Sequence, residues 1–344
     1  MTHPQPETPA PLPPQPERNK MFLLRVAAQL FSFAILAIVL SFVVSLASLF
    51  AQGPSTEEKT FVVLHGETAA SIGTHLADEK LVYAAFPFRI AARIVGSLKA
   101  GEYAIPAKAS PFKIATVLHE GKSIVRMFTA VEGLTSAEIV VALNENPALT
   151  GAIDRIPDEG ALLPETYRYT YGDSRMSMIS RMQKAMQEKI SALWNTRKEG
   201  LPLASPQEAI VLASIIEKET GKTEERPRIA GVFYNRLRQN MRLQSDPTVI
   251  YALTNGMRPL NRALTHDDLL VASPINTYLR DGLPPQPICN PGSAAIEAAL
   301  RPERHSFLYF VADGMNGHAF SSDLATHNKN VNNWHKAQEN NAHP

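Results

Sequence analysis

The chain has 344 residues, enough for more than one domain, and 44% of them are hydrophobic, enough for a packed core. Its 34 Lys and Arg nearly balance 33 Asp and Glu, which argues against nucleic acid as the main partner, because phosphate binding needs a concentrated basic face. Cys289 is the single cysteine, so no disulfide can form within the chain.

Residues 1–20 are rich in Pro and Gln and nearly devoid of large apolar side chains. Such a segment cannot offset its ordering entropy, and a disordered cytoplasmic tail is expected over residues 1–24. Val26 to Phe50 then runs without a charged side chain. A stretch of that length and polarity predicts a transmembrane helix over residues 25–50. Arg18, Lys20 and Arg25 precede it and Glu57 is the first charge after it, so a cytoplasmic N-terminus and an exported body are expected. A cleaved signal peptide is the competing reading, although its apolar core would be shorter. A short linker over 52–59 follows. Next comes an α+β module over 59–128, with strands at 60–64, 101–105 and 124–131 and helices at 67–76, 86–95 and 111–119. Gly121 is placed to stop the last of these helices. Residues 129–338 read as mainly helical: helices at 176–194, 205–220, 225–240 and 293–300, and a strand at 306–312. In the helix over 205–220, Ser205 and Glu208 form a capping-box pattern, Pro206 suits the first turn and Gly221 supplies a stop. The fold class is therefore α+β behind a single N-terminal span.

The chemistry centres on Glu217-Lys218-Glu219-Thr220. Carboxylates two residues apart on a helix lie on nearly opposite sides, so at most one faces a given cleft. Glu219 stacks over Leu212, Ile215 and Ile216, in the last turn, where the helix dipole disfavours negative charge. Apolar neighbours and the dipole both favour the neutral acid, the form that can protonate a leaving glycosidic oxygen. By composition alone, a solvated helix end explains the same residues. Asp246-Pro247 reads as a turn whose polar groups could bond a sugar, with a helix cap as the alternative. Asn276 and Tyr278, in Pro274-Ile275-Asn276-Thr277-Tyr278, suit sugar hydroxyls and ring faces, and equally a plain turn. His305, His318, His327 and His335 show no metal-ligand spacing and are read as surface or core residues.

The segments IIEKET, FYNRLRQNMRLQSDPTVIYAL, PINTY, GLPPQPICNPG, LYFVADGMNGHAF and THNKNV occur in one order over residues 206–331. With Val131-Glu132-Gly133 and Leu163-Pro164-Glu165-Thr166-Tyr167 upstream, they closely resemble the endolytic murein transglycosylase family, MltG or YceG-like. The resemblance covers about residues 59–335. It departs from the commoner pattern at Glu165, where Asp is usual, and at Ser245, where Thr is common.

The resemblance implies a LysM-like module over 59–128 and a catalytic domain over 129–338. It also implies cleavage within peptidoglycan strands between N-acetylmuramic acid and N-acetylglucosamine. Glu219 aligns with the family's catalytic glutamate, with Glu217 as fallback, and Glu165, Arg236, Gln244, Asp246, Asn276 and Tyr278 are assigned to the substrate. No metal or organic cofactor is called for. Implied partners are glycan strands, the inner membrane and peptidoglycan synthases. Two other readings predict different products: a water-using muramidase with Glu165 or Asp246 as second carboxylate, and a wall-binding scaffold that does not cleave.

Overall fold

The computed structural model describes residues 17–315 and 317–342. The predicted tail falls outside these residues except at its end, where helix α1 (Glu17–Phe50) begins eight residues before the expected start of the span. The chain forms two compact units, divided between Ser123 and Ile124.

In the first unit the apolar part of α1, Lys20–Phe50, is long and apolar enough to cross a membrane. Its side chains, Phe31, Leu36 and Phe42 among them, are exposed. That exposure sets it apart from the core helix of a folded domain, whose apolar surface is covered. The last turn differs: Leu49 is buried and Phe50 meets Phe112 with ring centroids 5.1 Å apart. Strand β1 (Lys59–Val63) pairs antiparallel with β2 (Gly101–Ile105), with Phe61 opposite Tyr103. Between them run α2 (Ala69–Asp78) and α3 (Ala85–Val95), and α4 (Pro111–Glu120) follows. Phe61, Leu76, Phe88, Tyr103, Ile114 and Leu118 form the core with Leu49. Helix α4 starts and stops as its sequence dictates: Ser110 caps Lys113 N, Pro111 opens the first turn, and Gly121 takes φ 74°.

In the second unit β3 (Val125–Thr129) pairs antiparallel with β4 (Thr166–Thr170). The strand that sequence patterning puts at the end of the small module thus belongs to the next unit, because its partner lies there. Helices α5 (Ser136–Asn144) and α6 (Arg175–Asn195) pack a small core through Ile139, Leu143, Met178 and Met182. The main core surrounds α7 (Pro206–Glu219), whose residues Ala209 to Ile216 are all buried. Helices α8 (Arg226–Arg238), α9 (Asp246–Thr254) and α10 (Ser293–Leu300) enclose it. Strands β5 (Tyr309–Ala312) and β6 (His318–Ser321) form a hairpin, and α11 (Leu324–Ala342) packs on it. A helix-rich fold with three two-stranded sheets among the described residues is α+β, as expected.

Candidate active site

Helix α7 is buried along most of its length and brings its last residue, half-buried, to the edge of a cleft. Ser205 caps the start by accepting from Glu208 N, while the Glu208 carboxylate reaches Ala204 N rather than the cap's own N–H. The stop also differs from the glycine expectation. Thr220 turns extended, with its hydroxyl donating to Glu225 at 3.3 Å and accepting from Lys222 N at 3.0 Å. The helix therefore ends at Glu219, whose carboxyl lines an open cleft of about 610 Å³ with Thr220, Lys222, Ala312, His318 and Trp334.

The two candidate carboxylates have different surroundings. The Glu217 side chain is 4% exposed and paired: its Oε1 accepts from Arg226 at 2.6 Å and its Oε2 accepts from Gly292 N at 2.9 Å. Among the described residues Glu219 has one hydrogen-bond partner, the Ser245 hydroxyl, which donates to its Oε1 at 2.5 Å. Burial raises the Glu219 pKa most, the Ser245 bond lowers it, Asp246 raises it and Arg236 lowers it. The net result is a carboxyl pushed up to about 7, so it holds a proton near neutrality and can also release one.

Ser245 occupies the N-cap of α9, yet its hydroxyl makes no cap bond. A cap serine ordinarily accepts from the first turn; here the group is spent on Glu219. Its backbone is fixed instead. Ser245 N donates to Thr277 Oγ1 at 3.0 Å, and Thr248 Oγ1 donates to Ser245 O at 2.6 Å while lying 2.9 Å from Thr277 Oγ1. Asp246 and Pro247 form the first turn of α9, not a free turn, because proline is tolerated where no intrahelical N–H bond is due.

Four of the sequence candidates gather here. Asp246 is exposed, and the Tyr278 hydroxyl donates to its Oδ1 at 2.5 Å. Burial pushes the Tyr278 phenol well above its usual range. Gln244 is exposed beside Ser245 in a left-handed conformation, φ 48°, held by its N–H on Thr277 O. Arg236 is buried and braces backbone, donating to Leu308 O at 2.7 Å and Leu243 O at 2.8 Å. Its charge reaches Glu219 without a direct bond.

Two candidates have other surroundings. Asn276 is fully buried, with Nδ2 donating to Leu269 O and Val271 O and Oδ1 accepting from Tyr278 N. It shapes the loop and offers nothing to a sugar. Glu165 is exposed just before β4 and joins the fold through its backbone carbonyl, which accepts from Ala130 N. Sequence reasoning missed Lys222, His318 and Trp334 in the cleft wall, and the Ser245–Thr248–Thr277 network. A hydroxyl's partner far along the chain leaves no local pattern. Among the described residues no group of three or more His, Cys, Asp or Glu is suited to a metal ion. Cys289 is buried with its thiol on Ser214 O, and burial pushes it well above the ordinary thiol range.

Comparisons with known proteins bear on the same residues. A model of the YceG-like family matches residues 61–333. The endolytic murein transglycosylase of Bacillus subtilis (strain 168) is 39% identical over 175 residues, 50% of this chain and 47% of that protein. That of Streptococcus pneumoniae (strain ATCC BAA-255 / R6) is 37% identical over 177 residues, 50% of this chain and 31% of that protein. The chain thus spans about half the length of the first of these relatives and less of the second. A crystal structure of a yceG-like protein from Listeria monocytogenes is 32% identical with a TM-score of 0.50, covering 80% of this chain and 99% of that one. With a family match that runs from β1 into α11, the chain belongs to the YceG-like family.

Proposed function

We propose that this chain is an endolytic lytic transglycosylase of peptidoglycan with Glu219 as its single acid and base. One observation carries the reading: a carboxyl with its pKa raised to about 7, held by Ser245, at the mouth of an open cleft. The names of the curated relatives support the substrate and the endolytic mode. In this mechanism Glu219 protonates the glycosidic oxygen as its bond to C1 of the muramic residue breaks. The resulting carboxylate takes the proton of that residue's C6 hydroxyl as the oxygen bonds C1, leaving a 1,6-anhydro end. A nucleophile inside the substrate has a high effective concentration and removes the need for a second carboxylate. Asp246, Tyr278 and Gln244 are assigned to the sugar, and Arg236 to bracing the loop and tuning Glu219.

In the same proposal α1 spans the inner membrane with the N-terminus cytoplasmic. The basic residues before the span and the exposed apolar helix support that orientation. The first unit, with its strand–helix–helix–strand order, would act as a LysM-like module holding glycan. Association with peptidoglycan synthases fits an enzyme that ends nascent strands.

The test is to incubate the full chain in detergent with purified peptidoglycan, beside Glu219→Gln, and weigh the products. Anhydro ends that vanish in the variant are expected. Reducing ends would replace this reading with a hydrolase using Asp246, the carboxylate whose charge acts on Glu219. Binding without products would leave a scaffold.

A further inference from the structure

The wall of the Glu219 cleft carries a second polar device. His318 opens β6 and lines the cleft with Glu219. Its Nδ1 lies 2.7 Å from Glu225 Oε2, and its backbone N–H donates to Glu225 Oε1 at 3.1 Å. One carboxylate thus holds the ring and the chain that bears it. Glu225 precedes α8, where the helix dipole favours negative charge. Burial alone would raise its pKa, but hydrogen bonds from His318 and Thr220 outweigh that and hold it below the ordinary carboxylate range. An ionised carboxylate only accepts, so Nδ1 carries the proton between them and Nε2 is the ring atom left for another partner.

Nε2 makes no hydrogen bond to any described residue, and the side chain retains 17% exposure. The ring is fixed around this open atom. Asp313 Oδ1 accepts from Met315 N at 2.7 Å and Gly317 N at 2.9 Å, which locks the turn before β6. A Cβ on Gly317 would sit 2.8 Å from Asp313 Oδ2 and 2.9 Å from Glu225 Oε1, so glycine is what lets both carboxylates close on the turn. Phe310 meets the imidazole edge to face at 5.4 Å. His305 provides a contrast within the same unit. Its Nε2 lies 2.9 Å from Arg228 O, and its Nδ1 accepts from Phe307 N at 3.0 Å. That is a histidine used wholly as a brace. In His318 one nitrogen is braced and the other is left to the cleft. Thr220, next to Glu219 in the chain, donates to the same Glu225 carboxylate and ties the two devices together.

We propose that His318 is a substrate-orienting residue of this site, its Nε2 sharing a hydrogen bond with a hydroxyl of the sugar seated beside Glu219. The inference rests on the transglycosylase reading above. No proton changes owner at His318; Glu219 remains the acid and base, and the imidazole sets the angle at which the sugar meets it.

Three variants of the full chain test this on purified peptidoglycan, with anhydro ends counted over time: His318→Asn, His318→Gln and Glu219→Gln. Asparagine keeps an amide where Nδ1 meets Glu225 but offers nothing at Nε2, whereas glutamine reaches the Nε2 position. The expected result is that His318→Asn melts like wild type while kcat falls about tenfold, and that His318→Gln recovers part of the loss. Wild-type kcat in His318→Asn would reduce His318 to a brace of the hairpin and overturn the inference alone, as would losses in both variants that merely track a lower melting temperature. Absence of anhydro ends from the wild type would instead sink the parent reading, and this inference with it.

Discussion

Glu219 sits among neighbours whose effects on its carboxyl oppose one another. Asp246 pushes its pKa up, and the Ser245 hydroxyl pulls it down. In the proposed role of general acid Glu219 must hold its proton, so activity is expected below its pKa and should be lost as pH rises through about 7. Two single changes should move that alkaline limb in opposite directions. Asp246→Asn removes a negative charge, makes ionisation easier and shifts the limb to lower pH. Ser245→Ala removes a donor to the carboxylate, makes ionisation harder and shifts it to higher pH. Rates of anhydro-end formation across pH measure both, and limbs that move together would sink the electrostatic account. Spacing in the sequence was enough to separate Glu217 from Glu219, since two residues on a helix put them on different sides. It was not enough to find Ser245, whose side chain matches a helix cap and whose actual partner lies 26 residues away.

Elements were legible where local chemistry decides them. Helix α10 runs over 293–300 as patterned, and α4 stops at Gly121 as expected. Strands β4 and β6 were not picked out because each depends on a partner, nor was α9, whose proline reads equally well as a turn; α5 and α11 were also missed, α5 although Thr135 and Glu138 form a local capping box at its start. The join between α7 and α8 is of this tertiary kind. Arg226 opens α8 with a side chain 6% exposed, against Glu217 in the last turn of α7 at 4%. Glu217 also accepts from Gly292 N at the start of α10, so one buried carboxylate fastens three helix ends. Burial raises the Glu217 pKa most, and Gly292 N and Arg226 oppose that rise. Replacing Arg226 with Met strands the carboxylate and should cost about 3–5 kcal/mol, whereas Arg226→Met with Glu217→Gln should recover much of it. Both tryptophans, Trp194 and Trp334, lie in this unit, so urea unfolding followed by their fluorescence reports it directly. Equal midpoints for wild type and Arg226→Met would show that the pair contributes nothing to the fold.

At the scale of the molecule, composition set out a tail, a span, a linker and a folded body, and the departure comes where span meets body. The expected linker is packed: Gly53 N donates to Lys108 O at 3.3 Å, Lys108 N donates to Ser55 O at 2.7 Å, and a Cβ on Gly53 would come 2.5 Å from Leu81 O. The last turn of α1 is part of the first unit's core, with Leu49 only 2% exposed. Nothing in the sequence distinguishes Leu49 from the leucines above it, because lipid and a protein core favour the same side chain. The two environments respond differently to truncation. Leu49→Ala should open a cavity in the first unit and cost it about 2–5 kcal/mol. Leu36→Ala, at a position 62% exposed and facing the surround of the span, removes no packed neighbour and should leave the unit unchanged. Hydrogen exchange at β1 and β2 of the full chain in detergent separates them. Faster exchange in Leu49→Ala alone means that the anchor and the first unit fold as one body, so that cutting the chain after residue 52 removes part of a core. Identical protection in the two variants would mean that Leu49 contributes no more than the exposed leucines before it, and that the first unit stands without it.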